Sequence, residues 1–307
     1  MPASWVAASV RARLLGNRRL GSARAVAIAG SAGLPAALQL LMDSPYGADL
    51  DPGMSLEAAQ RQVAATTLWN LRLLAGWLPP GGSEVLQPLV AWFEIANIED
   101  RLAYFAGRPH LPPYQLGRMD AAWRLASTAT TPDAMRDALS RSRWGDPGTS
   151  DPAAMVLMLR FRWAGWVAAS VPGAETWAAT AVALLGARVR FAPESLPVPV
   201  GVPARVYGLP AGWQQAQSLP ELRAMMPRQL AWVMDGMKLA SDLWAAEARW
   251  WSRVHKEAVE MIARSRFDSS VVVGVAALLG HDAWLVRAAL EAAARGRAAR
   301  SVFDAVA

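Results

Sequence analysis

The chain of 307 residues is 53% apolar and carries a formal net charge of +6, so it has ample material for a buried core in one large or two to three smaller domains. It has no cysteine, which excludes disulfides, thiolate nucleophiles and cysteine-ligated zinc and suits a cytoplasmic protein. Lys238 and Lys256 are its only lysines, so the positive charge is nearly all arginine; solvated helix faces account for it, with an anionic partner such as nucleic acid as the rival reading.

Segments rich in Ala, Leu, Glu and Arg favour helix, and strand-type alternation is hard to find, so the fold class is all-α. Residues 4–20 read as a helix with Trp5, Val6, Val10 and Leu14 inward and Arg11 and Arg13 toward the other side. A short helix over 33–42 stops at the turn residues Asp43, Ser44, Pro45, Tyr46 and Gly47. Ser55 caps a long helix over 56–78. Another runs from 84 to 107 and ends at Gly107, Arg108 and Pro109. Its inward stripe is Trp92, Ile95, Ile98/Glu99 and Leu102, with Asn97, Asp100 and Arg101 clustered beside it.

The pattern then starts again. Residues 116–128 predict a helix, Thr131 caps the next one to Ser142, and a Trp144-Gly145 turn follows. Longer helices cover 153–170 and 175–190. Five prolines (Pro193, Pro197, Pro199, Pro203 and Pro210) make 192–213 a linker. A third round has a helix over 220–233 with a kink at Pro227, and the longest clean amphipathic helix over 238–264. It closes with 267–296, read as a breaker (Asp268, Ser269, Ser270), an apolar run and a basic amphipathic segment carrying Arg287. The whole is a divergent internal repeat with a period of roughly 90–100 residues.

No secretory signal is expected, because the arginines from Arg11 onward have no apolar region before them. The stretches poorest in charge, 25–42 and 163–187, are broken by Gly30, Gly33 and Pro35 and by Pro172, Gly173 and Glu175. Neither offers the roughly 20 uninterrupted apolar residues of a spanning helix, so a soluble protein is expected.

Signatures of chemistry are sparse. No P-loop or Gly-x-Gly-x-x-Gly occurs, and His110, His255 and His281 lie far apart in the sequence. Glu99 and Asp100 are adjacent on a helix and do not face each other; Glu257 and Glu260 sit among basic residues where salt bridges are the default. Of the fifteen tryptophans, Trp163, Trp166, Trp244, Trp250 and Trp251 are spaced for helix–helix interfaces, with base stacking as the rival. No catalytic residue, cofactor or metal ligand is assigned.

Several stretches resemble the coupling subunit of V/A-type rotary ATPases, the family that joins the central stalk to the rotor ring in bacterial, archaeal and eukaryotic enzymes. The first is WVAASVRAR, with Arg11 and Arg13, and the second is the Tyr46-Gly47 turn. The third is the helix bearing Asn97 and Arg101 and ending at Gly107, Arg108 and Pro109. The fourth, and the most specific, runs from Phe267 through Val272, Val273, Gly274 and Val275 to Leu285, Val286 and Arg287. Gly280-His281 replaces the family's Lys-Glu, and Leu285 its Asn. The resemblance implies a funnel of three similar multi-helix modules in a pseudo-threefold arrangement, here 1–112, 113–200 and 201–307. It implies a non-enzymatic part without cofactor, peripheral on the cytoplasmic face of the membrane. Its partners would be the rotor-ring proteolipids and the central shaft, with membrane contact only through the ring, no nucleic acid, and a role in ion or proton transport. The runner-up function is a helical-repeat adaptor or regulator that binds a peptide or nucleic acid.

Overall fold

The computed structural model describes residues 3–191, 206–264 and 267–304, and within them every regular element is helical. In chain order the α-helices are α1 Val6–Gly16, α2 Ser22–Ala29, α3 Leu34–Met42, α4 Leu56–Ala75 and α5 Ser83–Phe105. Next come α6 Trp123–Ala126, α7 Pro132–Ser140, α8 Pro152–Ser170 and α9 Glu175–Phe191. The last are α10 Leu219–Met225, α11 Arg228–Ala231, α12 Leu243–Ala263, α13 Ser269–Arg295 and α14 Arg297–Asp304. The chain compacts as two units, one of Met1–Gly82 with Trp251–Ala307 and one of Ser83–Trp250. Most of the 192–213 linker, with the module boundary at 200/201, lies outside the described residues.

Side-chain caps start the helices where the sequence places small polar residues. Ser55 accepts from the Ala58 amide, Thr131 from Ala134, Asp151 from Ala154 and Ser218 from Glu221. Pro132, Pro152 and Pro220 sit in the first turn just after such a cap, where their missing N–H has no partner to lose.

In the first unit α13 is the central strut, packed against α1, α2, α3, α4 and α14. The segment read as breaker, run and basic piece is one unbroken helix of 27 residues, the longest described, ahead of the 23 residues of α5 and the 21 of α12. Asp268 is its N-cap, accepting from the Ser270 amide, so the supposed breaker is a start signal. Gly274 and Gly280 do not interrupt it. A Cβ on Gly274 would come within 2.8 Å of the Ala258 carbonyl oxygen on α12, and one on Gly280 within 3.4 Å of the Trp251 ring. They are notches that admit a neighbouring helix. By length and composition α13 is also the one helix among the described residues long and apolar enough to cross a membrane, a candidate outside the 25–42 and 163–187 stretches that charge alone singles out. Val271 to Ala276 are all buried against its neighbours, which is how a core helix passes the same test.

The face of α1 that packs is not the one its hydrophobicity suggests. Val6, Val10 and Leu14 are 41%, 48% and 54% exposed, while Ala8, Ser9, Ala12, Leu15 and Gly16 are buried. Small residues let α1 approach α13 closely, with a Cβ on Gly16 only 3.4 Å from Val275, and this proximity outweighs the larger side chains opposite.

In the second unit α5 packs on α8 and α8 on α9, around Ile95, Ile98, Leu102, Met135, Leu139, Met155 and Leu159. Trp92 of the expected inward stripe is exposed, and Glu94 and Asn97 are buried in its place. The helix expected over 116–128 reduces to a 3-10 turn at Gly117–Met119 and the short α6. Glu94 explains the break, since its carboxylate accepts from the Ala121 and Ala122 amides and so caps α6 from outside. Burial raises the Glu94 pKa against the opposing pull of those amides. The helix expected over 220–233 is divided at Met226-Pro227, because Pro227 has no N–H to continue it.

Two turns share one construction. At Tyr46-Gly47 the Ser44 hydroxyl accepts from the Tyr46 amide at 3.1 Å and the Ser44 carbonyl from Gly47 at 2.9 Å. At Trp144-Gly145 the Ser142 hydroxyl accepts from Trp144 at 3.1 Å and its carbonyl from Gly145 at 3.1 Å. Each is followed by an Asp-Pro-Gly bend in which the aspartate accepts from the glycine amide, Asp51 from Gly53 at 2.7 Å and Asp146 from Gly148 at 2.8 Å. A Cβ on Gly47 would lie 1.9 Å from the Met42 carbonyl oxygen. Gly47→Ala is therefore expected to lower the unfolding free energy by about 3 kcal/mol or more in urea denaturation. Gly165→Ala, with open space around it in mid-α8, raises it by about 0.5–1 kcal/mol.

Candidate functional site

The polar group at the centre of the first unit is Asp282 on α13, 2% exposed among aliphatic neighbours. Its carboxylate accepts three hydrogen bonds. Leu20 and Gly21 donate their amides from the α1–α2 turn at 2.9 and 2.8 Å, and the Tyr46 hydroxyl donates at 2.9 Å from the α3–α4 loop. Burial, then the facing carboxylate, pushes the Tyr46 phenol well above its usual value, so it stays a donor at every physiological pH. The Asp282 charge is thus met by fixed dipoles from two segments far away in sequence.

Beside this hub lies a cavity of about 350 Å³ lined by Leu15, Arg18, Arg19, Pro45, Tyr46, Asn70, Leu279 and Asp282. Arg19 donates its Nε to the Gly16 carbonyl at 2.7 Å, which holds the side chain at the C-terminal end of α1, where helix carbonyls favour a cation.

Around the hub the two C-terminal histidines meet, although the sequence sets them apart. His255 on α12 and His281 on α13 bring their Nδ1 atoms to 3.1 Å, so one ring donates and the other accepts. His281 stacks on Trp284, which stacks on Trp251, with centroid separations of 6.0 Å each. Burial, His255 and Arg19 together hold the His281 imidazole down at about 4; burial and Arg19 also lower His255, against the pull of Asp282. Both rings are neutral at pH 7.

The residues singled out by sequence fall in both units. In the first, Arg13 donates to the carbonyls of Ile262 and Arg264, each at 3.3 Å, and lies 5.5 Å over the Phe267 ring. Arg11 lies 5.9 Å over Trp77. Gly274 is the α12 notch. Arg287 exposes its side chain; Gln60 reaches its carbonyl at 3.4 Å. In the second unit Asn97 brackets Tyr114, donating to its carbonyl at 2.9 Å and accepting from its amide at 2.7 Å. Arg101 sends two nitrogens to the Ala129 carbonyl, at 3.1 and 2.8 Å. Gly107 takes φ +85° and the Arg108 amide returns to the Ala103 carbonyl, which ends α5, and Pro109 follows exposed.

Of the carboxylates, Glu99 pairs with Arg160 and Glu257 with Arg253, each at 2.7 Å. Of the tryptophans, Trp163 and Trp250 donate to the Pro88 and Trp177 carbonyls at 2.8 and 3.0 Å, whereas Trp244 is exposed. A smaller cavity of about 310 Å³ in the second unit is lined by Arg143, Trp144, Arg162 and Trp166 with Ala169 and Ser170. Sequence reasoning missed Asp282, Arg19 and Glu94. A signal existed for the first, because Asp282 is the only charged residue between Asp268 and Arg287.

Asp282→Ala strands three donors and is expected to cost about 3–5 kcal/mol in chemical denaturation; Tyr46→Phe, which leaves the two amides in place, costs about 1–2 kcal/mol. Between an ordinary histidine value of 6.5 and about 4, the unfolded chain binds a proton at His281 that the folded chain refuses, so stability falls as pH drops through that window. His281→Gln is expected to lose less stability than the wild type between about pH 7 and about pH 4.5, and equal declines would remove His281 from the account. Comparison with protein-family models and with curated proteins finds no match, so the reading of this site rests on its own geometry.

Proposed function

We propose that the chain is a non-catalytic coupling subunit of a V/A-type rotary ATPase. In this reading it seats the central shaft on the membrane rotor ring at the cytoplasmic face and transmits torque for ion transport. It is built of three similar modules about a pseudo-threefold axis. The reading starts from the sequence resemblance, and one structural observation carries it: the order of elements recurs. Two short helices, a turn and two long helices occur as α2–α5, α6–α9 and α10–α13. The first two rounds also share the same Ser-x-aromatic-Gly turn, Asp-Pro-Gly bend and capped long helix.

The roles of the resembling residues fit a mechanical part. Arg13, Asn97 and Arg101 all bind main-chain groups, Tyr46 holds Asp282, and Gly47 and Gly274 admit close backbone approach. Side chains engaged in this way stiffen a scaffold. The second reading, a helical adaptor, is favoured by the exposed line Val6, Val10 and Leu14 on α1.

Affinity purification of the tagged chain from gently solubilised native membranes separates the two. Ring proteolipids and shaft proteins are expected in near-stoichiometric amounts, and deletion of the gene is expected to uncouple ATP hydrolysis from ion pumping in those membranes. Recovery with a soluble peptide or nucleic-acid partner and no ATPase component would overturn the coupling role.

A further inference from the structure

The cavity beside Asp282 holds cationic groups that the fold itself does not use. The Arg18 guanidinium, the two terminal nitrogens of Arg19 and the Asn70 side-chain amide have no hydrogen-bond or ion-pair partner among the described residues. The other polar wall groups are committed: Asp282 to three donors, the Tyr46 proton to Asp282, and Arg19 Nε to Gly16. Two arginines and one carboxylate line the cavity, so the lining carries a surplus positive charge. Guanidinium forks match the oxygens of a phosphate, to which each can donate two hydrogen bonds.

The remainder of the wall states what the anion carries. At about 350 Å³ the cavity exceeds the needs of an inorganic ion. Leu15, Pro45 and Leu279 offer an apolar side, while the Asn70 amide and the Tyr46 oxygen, which still has a lone pair to accept with, suit ligand hydroxyls. We propose that this cavity binds a small hydroxylated phosphate ester, its phosphate between Arg18 and Arg19 and its hydroxyls on Asn70 and Tyr46. The site stands apart from the rotary ATPase reading, since it needs only the first unit and no partner protein.

Calorimetric titration of the full chain at fixed ionic strength tests it, with glycerol 3-phosphate and glucose 6-phosphate against glucose, inorganic phosphate and sulfate. At least one ester is expected to bind more tightly than either inorganic anion, and glucose not at all. Arg18→Gln, an exposed position whose fold is checked by circular dichroism, is expected to weaken ester binding about 10- to 100-fold, the loss of charge-assisted hydrogen bonds. Asn70→Ala is expected to weaken the esters while leaving inorganic phosphate unchanged. The proposal is overturned by absence of ester binding at millimolar concentration, by equal binding of esters and sulfate, or by unaltered affinity in folded Arg18→Gln. Binding or its absence is read whether or not the chain co-purifies with a rotor ring, so the two proposals fail separately.

Discussion

A carboxylate buried in an aliphatic core is tolerable only when its charge is matched where it sits, and the first unit is organised to match one. Asp282 is only 2% exposed, and its compensation comes from two backbone amides and a phenol. Those donors belong to the α1–α2 turn and the α3–α4 loop, so satisfying one charge pins two connections to the middle of α13. The cavity and the histidine pair are consequences of the same packing. Arg18 and Arg19 leave α1 in the very turn whose next amides reach Asp282, and His281 precedes Asp282 on the helix.

The second unit uses the same device with different residues. Glu94, fully buried on α5, accepts the amides that begin α6, as Asp282 accepts those that begin α2. In each case a carboxylate on a long core helix accepts the amides of the N-cap residue and of the residue before it at the start of a short helix, groups that a local Ser or Thr cap does not reach. Asn97 extends the pattern by pairing with both main-chain groups of Tyr114 in the extended segment after α5. Polar side chains on the long helices therefore act on loop backbone, which gives the loops defined positions without regular structure of their own.

Glycine does complementary work. Gly16, Gly274 and Gly280 lie within or at the end of helices and open contact surfaces, while Gly47 sits where any side chain would strike the preceding helix end. Close helix contact follows, and with it the burial of the weakly hydrophobic Ala- and Ser-bearing face of α1. Val6, Val10 and Leu14 remain at the surface while Leu15 is buried with the small residues, against the usual amphipathic rule.

The sequence by itself determined the helical class, most helix positions and the turn chemistry. Those depend on local causes: composition, Ser and Thr caps, and proline or glycine stops. It also singled out Gly47, Asn97, Arg101 and Gly107, whose structural duties are met within short reach or by residue type alone, and Tyr46 for its place in a turn, though not for its bond to Asp282. Tertiary structure decided the rest. Whether 267–296 bends depended on what fills the notches at Gly274 and Gly280, and which face of α1 is buried depended on how near α13 can come. That His255 touches His281, and that Asp282 gathers donors from the opposite end of the chain, are matters of contact across more than 200 residues for the latter pairings. Local pattern carries no record of such contacts, because their energy resides in the meeting of groups and not in either group alone.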